Sequence, residues 1–292
     1  MLSEKYPASQ FKKCNIKKFS EISKDFCYLF RIKFTCIKCK YYNNIISESK
    51  CLDINKGVYD NGRVVKAKSL IIDVTEVDLK LILKYYDFKS YEIIESYFAY
   101  KSYLPKEFYD FILDKYQDKT KLKGIPERKV EYNLAKNKFN SLYGMSVTNN
   151  ICAEIDYKNN EWCKIELTNI DILMKLQEVK KKGFLNFAWG VYVTSYARRN
   201  LLELLRLYDD HAIYCDTDSI KLLDGYDKKY IDDYNSNVRK KLLKISNDLN
   251  LDFSKFEPED IKGKKHLIGV FEFEGSYSEF KTLRCKKILL SR

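Results

Sequence analysis

The sequence predicts an α+β fold, on three observations. Ala212-Ile213-Tyr214 and Ile220-Lys221-Leu222-Leu223 flank Asp216-Thr217-Asp218, so two short strands meet at a tight acidic turn. Pro126 to Gly144 carries apolar residues at helical spacing, between a residue suited to a helix start and one suited to its end. Val193, Ala197, Leu201, Leu204, Leu205 and Tyr208 form a second helical stripe, read as core.

Along the chain, Asn15 to about Tyr100 mixes short strands with Lys-rich loops. Within it, Thr75 to Tyr86 reads as a short helix, capped by the Thr75/Asp78 pair and burying Val77, Leu81 and Tyr85. Lys106 to Tyr116 looks helical and leads into Lys119, Lys121 and Lys123. From Val147 to Lys164 two strands meet at the turn Lys158-Asn-Asn160. Thr168 or Asn169 caps a helix to Lys182, closed by Gly183. A polar helix spans Tyr230 to Asn250, and Leu267 to Glu274 reads as a strand.

The hairpin and the first helix carry the chemistry. Asp216 and Asp218 offer hard oxygens on a rigid turn, which suits Mg²⁺ with a substrate phosphate completing its shell. An unliganded Asp-rich turn is the competing reading of that segment alone. On the helix, Tyr132, Ala135, Phe139 and Leu142 share the buried face, while Lys129, Lys136, Asn140 and Tyr143 share another. That second face presents ammonium groups for a triphosphate, an amide and a ring; its bland alternative is a solvated basic face.

Together the two segments resemble family B DNA polymerases. Lys136-x-x-x-Asn140-Ser141-x-Tyr143-Gly144 is similar to their fingers motif B, and Tyr214-x-Asp216-Thr217-Asp218-Ser219 to their motif C. Gly190 to Arg198 resembles the palm helix before motif C in the protein-primed phage and linear-plasmid branch. Lys281 to Ile288 resembles that branch's Lys-x-Tyr region. The resemblance implies an antiparallel palm sheet with helices, helical fingers and two inserted α/β segments. In these terms 1–105 is palm start and insertion, 106–146 fingers, 147–183 a second insertion and 184–292 palm. It implies Asp218, with Asp216 beside it, as catalytic Mg²⁺ ligands. Lys136, supported by Lys129, would hold the triphosphate of the incoming dNTP, and Asn140 and Tyr143 would line the nascent pair. One of Lys119, Lys121 and Lys123 would add a further triphosphate contact. Ser141, Gly144 and Thr217 would contact DNA; Lys286 and Lys287 read either as contacts to primer or template phosphate or as a charged tail. The implied partners are a DNA template-primer, dNTPs and a priming terminal protein, in the cytoplasm of a bacterial host.

The resemblance also departs from its pattern. Tyr6-Pro7-Ala8 looks like the tail of motif A, which places Met1 where an Asp belongs and Glu4 where a Ser belongs. Glu21 and Asp25 lie in a Lys/Ser-rich stretch and are no substitutes. Ile288 stands where Lys-x-Tyr has Tyr, and neither an exonuclease nor a thumb is expected. Two ions roughly 3.5–4 Å apart need bridging carboxylates from separate strands. The expectation is therefore a polymerase core with little activity alone. The alternative is a non-catalytic remnant or split-gene subunit that binds DNA or a terminal protein.

Composition agrees. Fifty-three Lys and Arg against 41 Asp and Glu leave a net charge of +12, and aromatic residues make up 15 %. Both suit a polyanion with stackable bases, although an AT-rich genome also enriches Lys, Asn, Ile and Tyr. No run of eighteen apolar residues suggests a membrane span. The nine cysteines read as reduced thiols, with zinc at Cys36-x-x-Cys39 the lesser reading. His211 reads as packing, and Arg198 and Arg199 as a solvated face, with a phosphate contact the lesser reading.

Overall fold

The structure is a computed structural model and describes residues 2–147, 153–158, 160–182, 186–284 and 287–291. Its first part is strand-rich: β1 (Tyr6–Pro7), β2 (Lys12–Cys14), β3 (Phe26–Cys39), β4 (Cys51–Asn55), β5 (Val58–Asp60) and β6 (Arg63–Thr75). Helix α1 (Glu76–Tyr85), β7 (Tyr86–Asp87) and β8 (Ser90–Ser102) follow. Then come α2 (Lys106–Leu122), α3 (Lys129–Ser146), the hairpin β9 (Glu154–Lys158) and β10 (Glu161–Ile165), α4 (Asn169–Lys182) and α5 (Phe187–Leu207). The last part holds β11 (Ala212–Asp216), β12 (Ser219–Leu222), α6 (Lys229–Asp248), β13 (Glu279–Arg284) and β14 (Lys287–Ser291).

The large sheet runs β1-β8-β3-β6-β4, antiparallel where it pairs. Its strands are not the short ones expected: β3 has 14 residues and β6 and β8 have 13 each. The lysines that read as loops alternate with apolar residues and occupy the other face of the pleat. Phe30, Ile32 and Phe34 stand opposite Val74, Ile72 and Leu70, and this layer is buried beneath Leu79, Ile82 and Tyr85 of α1. Each such side chain contributes about 1.5–3 kcal/mol by leaving water. Helix α1 starts where expected, with the Thr75 hydroxyl accepting from the Asp78 amide at 3.1 Å.

A second core gathers around α2, α5 and α6. Helix α5 does not bury the whole predicted stripe: Ala197 is exposed, while Tyr192 and Tyr196 are buried. The reason is that α5 is covered on different sides along its length. Its first half packs on the amino-terminal segment, and its second half buries its own Leu204 and Leu205, with Tyr208 just beyond. The amino-terminal segment is held through its main chain. The Tyr109 hydroxyl donates to the Leu2 carbonyl (3.0 Å), Tyr196 to Lys5 (2.7 Å) and the Trp189 indole to Pro7 (2.8 Å).

Three further expectations are corrected. Arg198 and Arg199 are not a solvated face. Arg198 grips Asp78 through two bonds of 2.9 and 2.8 Å, and Arg199 pairs with Glu4. Gly144 does not end its helix, which continues to Ser146; the Ser146 carbonyl is then met by the Asn186 amide at the start of α5. Leu267 to Glu274 forms no strand. Gly269 turns the chain at φ 84°, and the Asn235 side chain of α6 bonds both backbone groups of Phe271, at 2.8 and 2.9 Å, in place of a strand partner. The predicted turn at Lys158 and the helix cap at Thr168 are present, with Thr168 accepting from the Asp171 amide. Asn159, Gly183 and Phe184 lie outside the described residues.

Candidate active site

The acidic hairpin forms as expected. Strands β11 and β12 pair antiparallel, with Asp216 opposite Ser219, so Thr217 and Asp218 make the turn. The Asp218 amide donates to the Asp216 carbonyl at 2.6 Å, and Thr217 is driven to φ 52°. This tight three-residue turn is strained for a β-branched residue. The Thr217 hydroxyl donates to Asp216 Oδ1 at 2.9 Å, which fixes that carboxylate, while Asp218 stands exposed at the tip. The hairpin is steadied from one side by the chain after α6. Lys221 pairs with Glu274 at 3.1 Å, and Tyr214 packs on Phe280 with ring centroids 5.6 Å apart.

Helix α3 lies along α2. Ala135 is buried and Tyr132, Phe139 and Leu142 are half-buried, the face the spacing predicts. Lys129, Lys136, Asn140 and Ser141 are exposed on the remaining surface. Phe139 meets Tyr116 of α2 at 5.8 Å, and the Lys119 ammonium sits 5.2 Å above the Phe139 ring. Lys119 is half-buried, and its ammonium is held below the ordinary lysine range. Desolvation is the main cause, then the neighbouring charges of Lys123 and Lys136; Asp218 and Glu272 oppose the shift.

These interactions bring the two sequence motifs into one electrostatic neighbourhood. Lys136 on α3 and Asp218 on the hairpin, far apart in sequence, both act on Lys119 of α2. Of the three lysines the sequence left open, it is Lys119 whose ammonium lies over the Phe139 ring and whose charge is acted on by Lys123 and Lys136. An anion placed among these three ammonium groups relieves their mutual repulsion, and each hydrogen bond to a charged group contributes about 1.5–3 kcal/mol.

Sequence reasoning missed Glu272. The His266 ring lies between two carboxylates, with Nδ1 2.9 Å from Glu272 and Nε2 3.1 Å from Asp260. The alternation Phe271-Glu272-Phe273-Glu274 was the available signal, but it was read as a strand. The side chain of Tyr143, that of Lys287 and all of Lys286 lie outside the described residues. Gly144 lies within α3, next to the helix's last turn.

Hard carboxylate oxygens at Asp216 and Asp218 fit a magnesium ion in kind. Among the described residues, no group of three or more His, Cys, Asp or Glu side chains gathers as a metal cage. Cys36 and Cys39 are free thiols, Cys39 donating to the Asn43 carbonyl. Among the described residues no helix is long and apolar enough to cross a membrane.

No protein-family model matches the chain. Over 159 residues, 53 % of the chain, it is 30 % identical to the DNA polymerase of Bacillus phage B103. Over 151 residues it is 31 % identical to the DNA polymerase of Bacillus phage PZA and 30 % to that of Bacillus phage phi29. The chain spans about a quarter of these relatives' length, 25 % and 24 %. Among solved structures it superposes on phi29 DNA polymerase complexed with primer-template DNA and incoming nucleotide substrates, with a TM-score of 0.61 at 22 % identity. That match covers 80 % of this chain and 38 % of the other. The complex with primer-template DNA alone gives a TM-score of 0.59 over 78 % of this chain and 37 % of the other. These superpositions show a shared fold.

Proposed function

We propose that this chain, homologous to phage DNA polymerases over about half its length, is the palm-and-fingers core of a DNA-directed DNA polymerase of the protein-primed branch. The observations that carry the reading are the Asp216–Ser219 hairpin, which presents Asp218 at its tip, and the Lys119 ammonium seated 5.2 Å over Phe139 of α3. In this reading Lys136 and Lys119, with Lys129 further along α3, hold the triphosphate of a dNTP. Asn140 and Tyr143 line the nascent base pair. Ser141, Gly144, Thr217, Lys286 and Lys287 position template and primer through the backbone. Asp218 and Asp216 are the magnesium ligands, and magnesium there would stabilise charge on the reacting phosphoryl oxygens. Thr217 keeps Asp216 oriented, and Phe139 holds the Lys119 ammonium in place.

Two carboxylates one residue apart fall short of the donor set for a pair of divalent ions, so polymerisation requires a further acid. Glu4, the acid in the segment resembling motif A, is engaged by Arg199 at 3.1 Å and Lys241 at 2.7 Å. That engagement favours a second reading, a DNA- or terminal-protein-binding subunit without catalysis of its own. Titration of a fluorescent dNTP with magnesium separates the two. In the first reading Lys136→Ala and Asp218→Ala each weaken binding roughly ten- to a hundredfold, the loss of one charged contact. Unchanged affinity in both variants, with DNA binding retained, leaves the second.

A further inference from the structure

Away from the acidic hairpin, a cleft of about 440 Å³ opens between the large sheet and helices α1 and α5. Its walls are apolar, from Phe30, Ile72 and Val74 of the sheet, Leu81 and Ile82 of α1 and Leu202 of α5. Its volume is that of a small-molecule site. One end carries Arg31, Asp73 and Glu95: Arg31 and Asp73 satisfy each other through two bonds of 2.9 Å, and Glu95 stands opposite Arg31 on the neighbouring strand.

The other end is unbalanced. Lys50, Arg63 and Arg198 line it with a single carboxylate, Asp78. Asp78 has little capacity left: its oxygens accept from Arg198 Nε and Nη2, from the Ser195 hydroxyl at 2.7 Å and from the Thr75 hydroxyl at 3.0 Å. Arg63 spends one nitrogen on the Ile45 carbonyl at 3.2 Å. The Lys50 ammonium is held below the ordinary lysine range, by desolvation first and then by the Arg198 charge. Asp78 opposes that shift and Arg63 adds to it. Three cations against one committed carboxylate leave an excess of positive charge beside an apolar chamber.

We propose that this cleft binds a small amphipathic anion: a flat apolar body lying between the sheet and α5, with a carboxylate, sulfonate or phosphate among Lys50, Arg63 and Arg198. The apolar walls supply burial of the body, and the anion relieves repulsion among the cations. The occupant bridges the sheet and α5, which are also joined by α1 and by the Tyr192 hydroxyl's bond to the Tyr28 carbonyl at 2.9 Å. The site is separate from the one assigned to nucleotides, and the proposal stands whichever reading of the hairpin holds.

The probe pair is 8-anilinonaphthalene-1-sulfonate and N-phenyl-1-naphthylamine, the same rings with and without the anion, followed by fluorescence titration. The sulfonate is expected to bind one site at least tenfold more tightly than the uncharged amine. Lys50→Gln, at the exposed mouth, is expected to weaken the sulfonate about tenfold and leave the amine unchanged. Val191→Trp, which fills the cleft from a partly exposed position on α5, is expected to abolish both signals, with a native circular dichroism spectrum confirming the fold. Equal affinity for the two probes, indifference to Lys50→Gln, or signals that survive Val191→Trp overturn the proposal. Displacement of the sulfonate by dATP with magnesium also overturns it, because the dye would then be reporting the nucleotide site.

Discussion

Gly190 and Gly144 lie inside helices, and the same change at each is expected to move stability in opposite directions. A methyl at Gly190 would stand 1.9 Å from Val147 Cγ1 and 3.3 Å from both Val147 Cβ and Ser146 Oγ. Carbon atoms settle near 3.5–4.0 Å, so Val147 would have to retreat by roughly 1.6 Å or more. Its branched side chain has few rotamers to escape into, and its amide is bonded to the Gly144 carbonyl. Overpacking of this kind costs about 1–3 kcal/mol, and replacing a helical glycine by alanine returns about 1 kcal/mol. With so short a contact, Gly190→Ala should lose a net of about 1–2 kcal/mol. At Gly144 a methyl meets nothing within 4 Å, so Gly144→Ala should gain about 0.5–1 kcal/mol. Urea denaturation followed by circular dichroism reads both, and a cycle with Val147→Ala should show coupling of about 1 kcal/mol or more. If Gly190→Ala stabilises as much as Gly144→Ala, or the cycle is additive, the close approach of α3 and α5 is wrong. Because Val147 follows directly on α3, Gly190→Ala should also weaken dNTP binding.

Asp78→Asn should cost about 2–3 kcal/mol, below the usual loss for breaking a buried pair because Arg198 keeps 37 % of its side chain exposed. Burial pushes the Asp78 carboxyl up, but the Arg198 bonds and charge, with Ser195 and Thr75, hold it below its ordinary range. Its folded pKa being depressed, this stabilisation is present above the unfolded value near ~3.9 and lost as pH falls through the folded one. The stability gap between wild type and Asp78→Asn should therefore close below about pH 4; a gap constant with pH would refute the ionic origin. Thr217→Gly removes the left-handed strain at the hairpin tip and should stabilise the fold by about 1 kcal/mol. It also frees Asp216 from its hydroxyl partner, so magnesium-dependent dNTP affinity should fall, which the same titration as above measures.

Local signals carried much of this architecture. The Thr75 cap, the Asp216–Ser219 hairpin and the exposed Lys129, Lys136 and Asn140 of α3 all follow from spacing and turn chemistry over a few residues. What failed depended on contacts remote in sequence. Leu267 to Glu274 has strand-like alternation, but Asn235 of α6 takes the Phe271 backbone before any strand can. Arg198 and Arg199 look solvent-bound on a helical wheel until Asp78 and Glu4 arrive from 120 and 195 residues away. Lys119 could not be told from Lys121 and Lys123 because the ring beneath it, Phe139, belongs to the next helix.

The clasp on residues 2 to 7 separates position from spelling. Tyr109, Tyr196 and Trp189 donate to the carbonyls of Leu2, Lys5 and Pro7, groups that every amino acid carries. Letters at Ser3 and Lys5 can drift while the strand stays docked, whereas the three donors cannot change without releasing it. A saturation scan would find tolerance at Ser3 and Lys5, and intolerance at the buried Leu2 and Tyr6, at the paired Glu4 and in the three donors.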